Sequence, residues 1–307
     1  MSDYVLETSG LTVYYGKQRG IQNVDLAVRK GEVFGFLGPN GAGKTTALRV
    51  LLDIIRPNAG QAKIFGRDCQ QDGHIIRDRI GYIAGELALP PTMRGRDYLN
   101  MLNGIRKRKA SDTYRRSLTA RFDLDVSRRV KAYSRGNKQK LALVAAFMHK
   151  PDLLILDEPT GGLDPLVQQA VLDTVREASD EGRTTFFSSH ILPEVQAVCD
   201  RIAIIRRGEI IATETVSDLL ISKFKRLKLT FGEMVSAEAL KMEGVRILNS
   251  EGNSHTIEIQ SNLAVFMQTA ARFGIIDIHT LELSLEEVFL SFYGKSLSEK
   301  GDKTHVA

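Results

Sequence analysis

Between the apolar segment Val33 to Leu37 and a helix-patterned stretch opening at Thr45 lies the octapeptide Gly38-Pro39-Asn40-Gly41-Ala42-Gly43-Lys44-Thr45. Glycines at these spacings let the backbone curl until successive N–H groups and the N-terminus of the next helix face one point, where an anion's oxygens can sit. Such a loop functions only where a strand delivers it and a helix receives it. Val33 to Leu37 reads as that strand. Ala47, Leu48, Val50, Leu51 and Ile54 recur at helical spacing until the turn Pro57 to Gly60. The arrangement predicts a phosphate cradle from Gly38, Asn40, Gly41 and Gly43, with Lys44 reaching the β- and γ-phosphates and the Thr45 hydroxyl ligating Mg²⁺. Thr46 is expected to support the loop, within reach of the α-phosphate.

The remaining pattern predicts an α/β fold. Leu11 to Tyr15 and Val24 to Val28 read as short strands ahead of the octapeptide, and Ile80 to Ile83 as another after it. Leu153 to Leu156 is a continuous apolar run, expected of a strand buried on both faces of a parallel sheet. Strands Thr184 to Ser188 and Ile202 to Arg206 follow, with a helix over Pro165 to Ala178. Strands alternating with helices imply a doubly wound core. A largely helical, basic lobe is inserted over about residues 86–149. Past Val216 a second unit reads as βαββαβ, with strands at Leu227 to Phe231, Val245 to Leu248, His255 to Gln260 and Ile275 to Leu281 and helices at Ser236 to Met242 and Leu263 to Phe273. It carries no chemical motif. The domains are expected at residues 1–217 and 222–307.

Asp157-Glu158 closes the Leu153 strand, so the sheet should deliver both carboxylates to the edge that holds the phosphate loop. Asp157 would hold Mg²⁺, and Glu158 would orient or deprotonate an attacking water.

Further residues in order resemble the nucleotide-binding subunits of ATP-binding cassette (ABC) transporters. Tyr133-Ser134-Arg135-Gly136-Asn137 is similar to that family's signature, and the longer run to Gln139 resembles the variant of ABC-2 type export ATPases. Tyr133, Arg135 and Asn137 depart from the common form. Gly161-Gly162-Leu163-Asp164 resembles the D-loop, which implies Asp164 at a dimer seam; Ser188-Ser189-His190 resembles the switch whose histidine, here His190, contacts the γ-phosphate. Tyr15 matches the residue that stacks on adenine. The terminal segment Leu285 to Leu290, with Tyr293, is similar to the last helix of many exporter ATPases. The resemblance implies a P-loop NTPase (RecA-like) core with an N-terminal antiparallel β subdomain and the inserted α-helical subdomain, followed by a small α+β C-terminal domain. It implies ATP with Mg²⁺, and a homodimer or heterodimer in which Ser134 and Gly136 bind nucleotide held by the opposite subunit. Integral membrane permease subunits would form the pathway. One departure stands out: most relatives carry Gln where Gly85 falls, and Glu86 is the nearest polar side chain.

Composition bounds the partners. Cys69 and Cys199 are the only cysteines, too few for a disulfide framework. The longest apolar run, Leu141 to Met148, has eight residues, against the ~20 that span a bilayer. Met1 to Gly10 lacks the features of a secretory signal. A cytoplasmic protein, peripheral on the inner face of the membrane, is expected. The formal net charge of +5 is uneven, since Arg94 to Lys140 holds 15 Lys or Arg against four Asp, including the run Arg106 to Lys109. Such a block suggests an anionic partner. An anionic lipid surface suits an exporter ATPase. A non-transport ATPase acting on nucleic acid or ribosomes is the alternative, disfavoured by the single nucleotide-binding unit.

Overall fold

The computed structural model describes residues 3–221, 225–259 and 261–281. Their contacts divide the chain into two compact units, Met1–Glu214 and Thr215–Ala307.

The first unit opens with β1 (Tyr4–Tyr15) and β2 (Gln18–Arg29), an antiparallel hairpin closed by Gly16 and Lys17. Both strands are much longer than their apolar segments suggest. Their inward residues, among them Leu6, Leu11, Ile21, Val24 and Val28, are fully buried, while register shifts between Thr8 and Tyr14 break the simple alternation. Beyond β3 (Val33–Leu37) and α1 (Lys44–Leu51), the strands β4 (Ala59–Ile64) and β5 (Arg67–Asp68) complete this sheet in the order β2-β1-β4-β5. Neither β4 nor β5 carries a strong strand pattern in sequence, and β4 is fixed by its pairing with β1.

After α2 (Gly73–Arg77) comes β6 (Ile80–Ile83), then the helical lobe of α3 (Gly95–Ile105), α4 (Asp112–Arg121), a 3₁₀ turn (Val130–Ala132) and α5 (Arg135–Phe147). Then follow β7 (Leu153–Asp157), α6 (Pro165–Asp180), β8 (Thr184–Ser189), α7 (Leu192–Val198), β9 (Arg201–Arg206) and β10 (Glu209–Thr215). The second sheet runs β10-β9-β3-β8-β7-β6, with β9, β3, β8, β7 and β6 mutually parallel. The phosphate loop therefore leaves the sheet beside β8 and one strand from β7. All five residues of β3 and of β7 are buried, as a strand covered on both faces requires.

The cation run Arg106 to Lys109 is largely engaged. Arg106 is turned inward, donating to the Ile80 carbonyl and to His149 Nε2. Arg108 pairs with Asp152, and Lys109 caps the Asn103 and Gly104 carbonyls at the end of α3. Lys107 alone of the four keeps its head group without a described partner.

The second unit begins with α8 (Val216–Ile221) and builds a sheet from β11 (Lys225–Phe231), β12 (Val245–Glu251), β13 (Ser254–Ile259) and β14 (Ile275–Leu281), in the order β12-β13-β11-β14 with every pair antiparallel. That is the ferredoxin-like strand order, with α9 (Leu263–Ala271) in the second helical position. The first, expected over Ser236 to Met242, is reduced to a 3₁₀ turn at Ala237–Leu240. Its Leu240 still packs with Leu229, Phe231, Ile257 and Phe266 in the unit's core. The segment Leu285 to Tyr293 and the end of the strand at Gln260 lie outside the described residues.

Candidate active site

At the carboxyl ends of β3, β7 and β8 the sheet presents three polar segments side by side. Gly43, just before α1, holds φ +110, and a Cβ there would come within 2.8 Å of the Gly20 carbonyl oxygen, so only glycine fits. Lys44 opens α1 with its side chain folded back over the loop. Its ammonium donates to the Gly38 carbonyl at 2.7 Å and lies 3.7 Å from Glu158 Oε1. Burial lowers its pKa from the ordinary lysine value, and the nearby Glu158 and Asp157 carboxylates oppose that shift.

Thr45, the next residue, donates its hydroxyl to Asp157 Oδ2 at 3.0 Å, and Ser188 donates to Oδ1 of the same carboxylate at 2.9 Å. Asp157 is 1% exposed. Burial raises its pKa above the usual aspartate value, against the two hydroxyls, which favour the charged form. A cation beside it would relieve that cost. The Thr45 hydroxyl and an Asp157 oxygen are the hard donors Mg²⁺ takes. Among the described residues no group of three or more His, Cys, Asp or Glu could hold a metal without other ligands. The remaining positions would therefore come from phosphate oxygens and water.

Glu158 stands where the chain turns out of β7. Its φ of +50 is unusual for a residue with a side chain. Its N–H donates to the Ser188 carbonyl at 2.9 Å, and its own carbonyl accepts from Gln139 Nε2 at 3.4 Å. Its carboxylate Oε1 lies 3.0 Å from His190 Nδ1. One carboxylate oxygen is thus shared between an ammonium and an imidazole, and the group remains partly open to solvent.

A cleft of about 260 Å³ runs over these groups, lined by Tyr15, Asn40, Gly41, Lys44, Thr46 and Glu158 among others. Tyr15 is 46% exposed, on the hairpin turn of the first sheet, with its hydroxyl 3.4 Å from that of Thr46. An aromatic face thus flanks one end of the phosphate loop. Arg19, which sequence reading does not single out, also lines the cleft and pairs with Glu209.

Ser134, Gly136 and Asp164 do not line this cleft. Ser134 caps α5, accepting from the Asn137 N–H at 3.2 Å, and Asp164 caps α6, accepting from the Val167 N–H at 3.0 Å. A Cβ on Gly136 would lie 2.8 Å from the Gly162 carbonyl oxygen, so the two glycine segments are in close contact within one chain. The departures from the common signature have visible work. Tyr133 is buried and donates to the Asp125 carbonyl at 2.6 Å, and the Arg135 stem lies against Gly162. Gln139, on the buried side of α5, reaches the Glu158 and Pro159 carbonyls. In the sequence it closes the run from Tyr133 that resembles the exporter signature, but that run does not show which groups it reaches.

Gly85 lies beside the Asp157 carboxylate, where a Cβ would approach Oδ2 to 3.1 Å. Glu86 is exposed.

Comparison with known proteins agrees with this geometry. The ABC transporter family profile matches residues 21–161. The daunorubicin resistance ATP-binding protein of Streptomyces coeruleorubidus is 37% identical over 71% of each chain. The bacitracin transport ATP-binding protein BcrA of Bacillus licheniformis is 31% identical over 94% of this chain and 97% of its own, and the linearmycin resistance ATP-binding protein LnrL of Bacillus subtilis is 28% identical over 96% and 100%. A solved ATP binding subunit of an ABC transporter superposes with a TM-score of 0.65 at 29% identity, covering 70% of this chain and 91% of its own. A dimeric ATP-binding cassette bound to ADP and Pi shares the fold, with a TM-score of 0.62 at 21% identity. A nucleic-acid or ribosome factor finds no support among these relatives. With relatives matched along nearly its whole length, and with a phosphate loop, paired carboxylates and His190 on one sheet edge, this chain belongs to the ABC transporter family as an ATP-binding subunit of the ABC-2 exporter type.

Proposed function

We propose that the chain hydrolyses ATP in a head-to-tail dimer, and so drives export through separate integral membrane subunits. The observation that carries this reading is the convergence on Glu158 Oε1 of His190 at 3.0 Å and Lys44 at 3.7 Å, beside the Thr45–Asp157 pair. Nucleotide would lie with its adenine against Tyr15, its phosphates over the N–H groups of Gly38 to Thr46, and its β- and γ-phosphates on Lys44. Mg²⁺ held by Thr45 and Asp157 would neutralise charge developing on the phosphates. Glu158 accepts a proton as water attacks the γ-phosphorus; the bond to the β–γ bridging oxygen breaks, and ADP and phosphate leave. His190 orients Glu158 and contacts the γ-phosphate.

Ser134 and Gly136 lie outside the cleft of their own chain, which suits a site completed by a second copy. The Ser134 hydroxyl, the Gly136 N–H and the start of α5 then form the second anion contact. Asp164 would lie at the same seam. Among the described residues no helix is long and apolar enough to cross a membrane, so transport needs other subunits. The relatives named for daunorubicin, bacitracin and linearmycin support export as the direction. Exposed cations on the basic lobe, including Lys107, Arg129 and Lys131, suit the anionic cytoplasmic leaflet.

Complementation tests the two-chain site. Lys44→Ala spoils the phosphate loop, and Ser134→Arg spoils the signature. Each alone should abolish hydrolysis, and a mixture should recover it, because one site of the mixed dimer keeps both intact halves. No recovery from two folded, dimerising variants would contradict the arrangement.

A further inference from the structure

A carboxylate buried one helix away from the cleft has no part in the chemistry above. Glu194 lies in the first turn of α7, on the same buried face as Val195 and Val198, and is 6% exposed. An acid in that position costs free energy unless both oxygens are satisfied. Here they are: Thr160 Oγ1 donates to Oε1 at 2.5 Å, and Ser189 Oγ donates to Oε2 at 2.9 Å. Both hydroxyl residues are 1% exposed.

Their places in the chain matter. Thr160 follows Glu158 by two residues, and Ser189 immediately precedes His190. The Ser189 hydroxyl also accepts the Ile191 N–H at 2.9 Å, so it brackets His190 from both sides. Consecutive residues of β8 point to opposite faces, and Ser188 accordingly anchors Asp157 while Ser189 anchors Glu194. From this geometry we infer that Glu194 is a positioning residue, a clamp that sets the spacing between the Glu158 loop and the His190 turn. Glu158 needs such restraint, because its left-handed backbone is held by neighbours rather than by its own preference. The inference rests on the hydrolysis proposed above and assigns Glu194 to its geometry. Glu194 lines no part of the nucleotide cleft. Its loss should therefore act on turnover and leave binding alone.

The test uses the full chain with Glu194→Ala, Glu194→Gln, Thr160→Val and Ser189→Ala. Glu194→Ala should lower kcat at saturating Mg-ATP by about 10- to 100-fold, the scale on which a misplaced reacting group slows an enzyme. Affinity for a non-hydrolysable ATP analogue should stay within about twofold of wild type, since only transition-state geometry is disturbed. Thr160→Val and Ser189→Ala should each slow turnover in the wild-type background and have no further effect when combined with Glu194→Ala. Glu194→Gln keeps one acceptor oxygen and should retain more activity than Glu194→Ala. It also serves if the alanine variant does not fold.

A second readout does not depend on turnover. Backbone amides over residues 158–163 and 188–192 should exchange with solvent faster together in the Glu194 variants. Unchanged exchange in both segments of a folded variant overturns the clamp, as does a loss of analogue affinity equal to the loss of kcat. A wild-type chain that fails to hydrolyse ATP would refute the proposed function alone, and the exchange data would still decide the role of Glu194.

Discussion

The two edges of the parallel sheet hold their charges in different ways. At the carboxyl edge, Asp157 is satisfied by the hydroxyls of Thr45 and Ser188, and Lys44 leans on the Gly38 carbonyl at 2.7 Å, with the partly exposed Glu158 carboxylate farther off at 3.7 Å. At the opposite edge, Asp152 takes Arg79 at 2.7 Å on one oxygen and Arg108 at 2.9 Å on the other, and Arg106 reaches across to His149. Hydroxyls and carbonyls can be exchanged for phosphate or metal without leaving an opposite charge stranded. Carboxylates already neutralised by guanidinium cannot. The first edge is thus prepared for a ligand, and the second fastens the helical lobe to the core.

The largest expected contrast is in nucleotide affinity. Lys44→Ala removes the charged contact to the phosphates, and a charge-assisted bond of this kind is worth roughly 3 kcal/mol, so titration with an ATP analogue should show affinity lower by about a hundredfold. An equally large loss from Asp152→Asn would break the division between the edges.

Acid stability probes the second edge. His149 is 2% exposed, and burial, with the Arg106 cation adding to it, pushes its pKa down to about 4. Nε2 lies 2.8 Å from the Arg106 guanidinium and 3.2 Å from the Ile80 carbonyl, and burial beside that cation disfavours the charged ring. Below pH 6.5 the unfolded chain binds a proton that the folded chain does not. The ring's contribution is therefore complete above pH 6.5 and is lost as pH falls towards 4, by up to about 3 kcal/mol. Denaturant unfolding from pH 7 to pH 4 should show a weaker acid dependence in His149→Gln than in wild type. An identical dependence would mean that the ring already titrates normally in the folded state.

The smallest effect is expected from Asp152→Asn. Its partners Arg79 and Arg108 are about half exposed, and pairs of that kind contribute less than about 1 kcal/mol. Thermal unfolding should shift slightly and ATP turnover should not change.

What the sequence revealed follows the same division. The phosphate loop, Asp157-Glu158 and His190 are legible because their chemistry requires given residue types at fixed spacing next to strands. Tertiary pairing is less legible. β4 exists through its partner β1, and the two long hairpin strands carry too many polar residues to read as twelve-residue strands. The turn at Ala237–Leu240 keeps its apolar contact without forming a full helix. The contacts that support the site are also hidden, because each joins residues distant in the chain: Gln139, visible only as the end of the signature-like run, reaches carbonyls 19 and 20 positions away, and Glu194 reaches Thr160 34 positions away. The basic run is the converse case, prominent in sequence but with Arg106, Arg108 and Lys109 engaged within the fold.

In the proposed function, Glu158 activates water in a site that two chains close around ATP. The direct measurement is Glu158→Gln, followed in parallel by ATP turnover and by solution mass with and without Mg-ATP. Bound nucleotide, turnover lower by about 100-fold or more, and a dimer that persists in ATP are expected of the proposed site. Normal turnover, with the protein remaining monomeric in ATP, would contradict it.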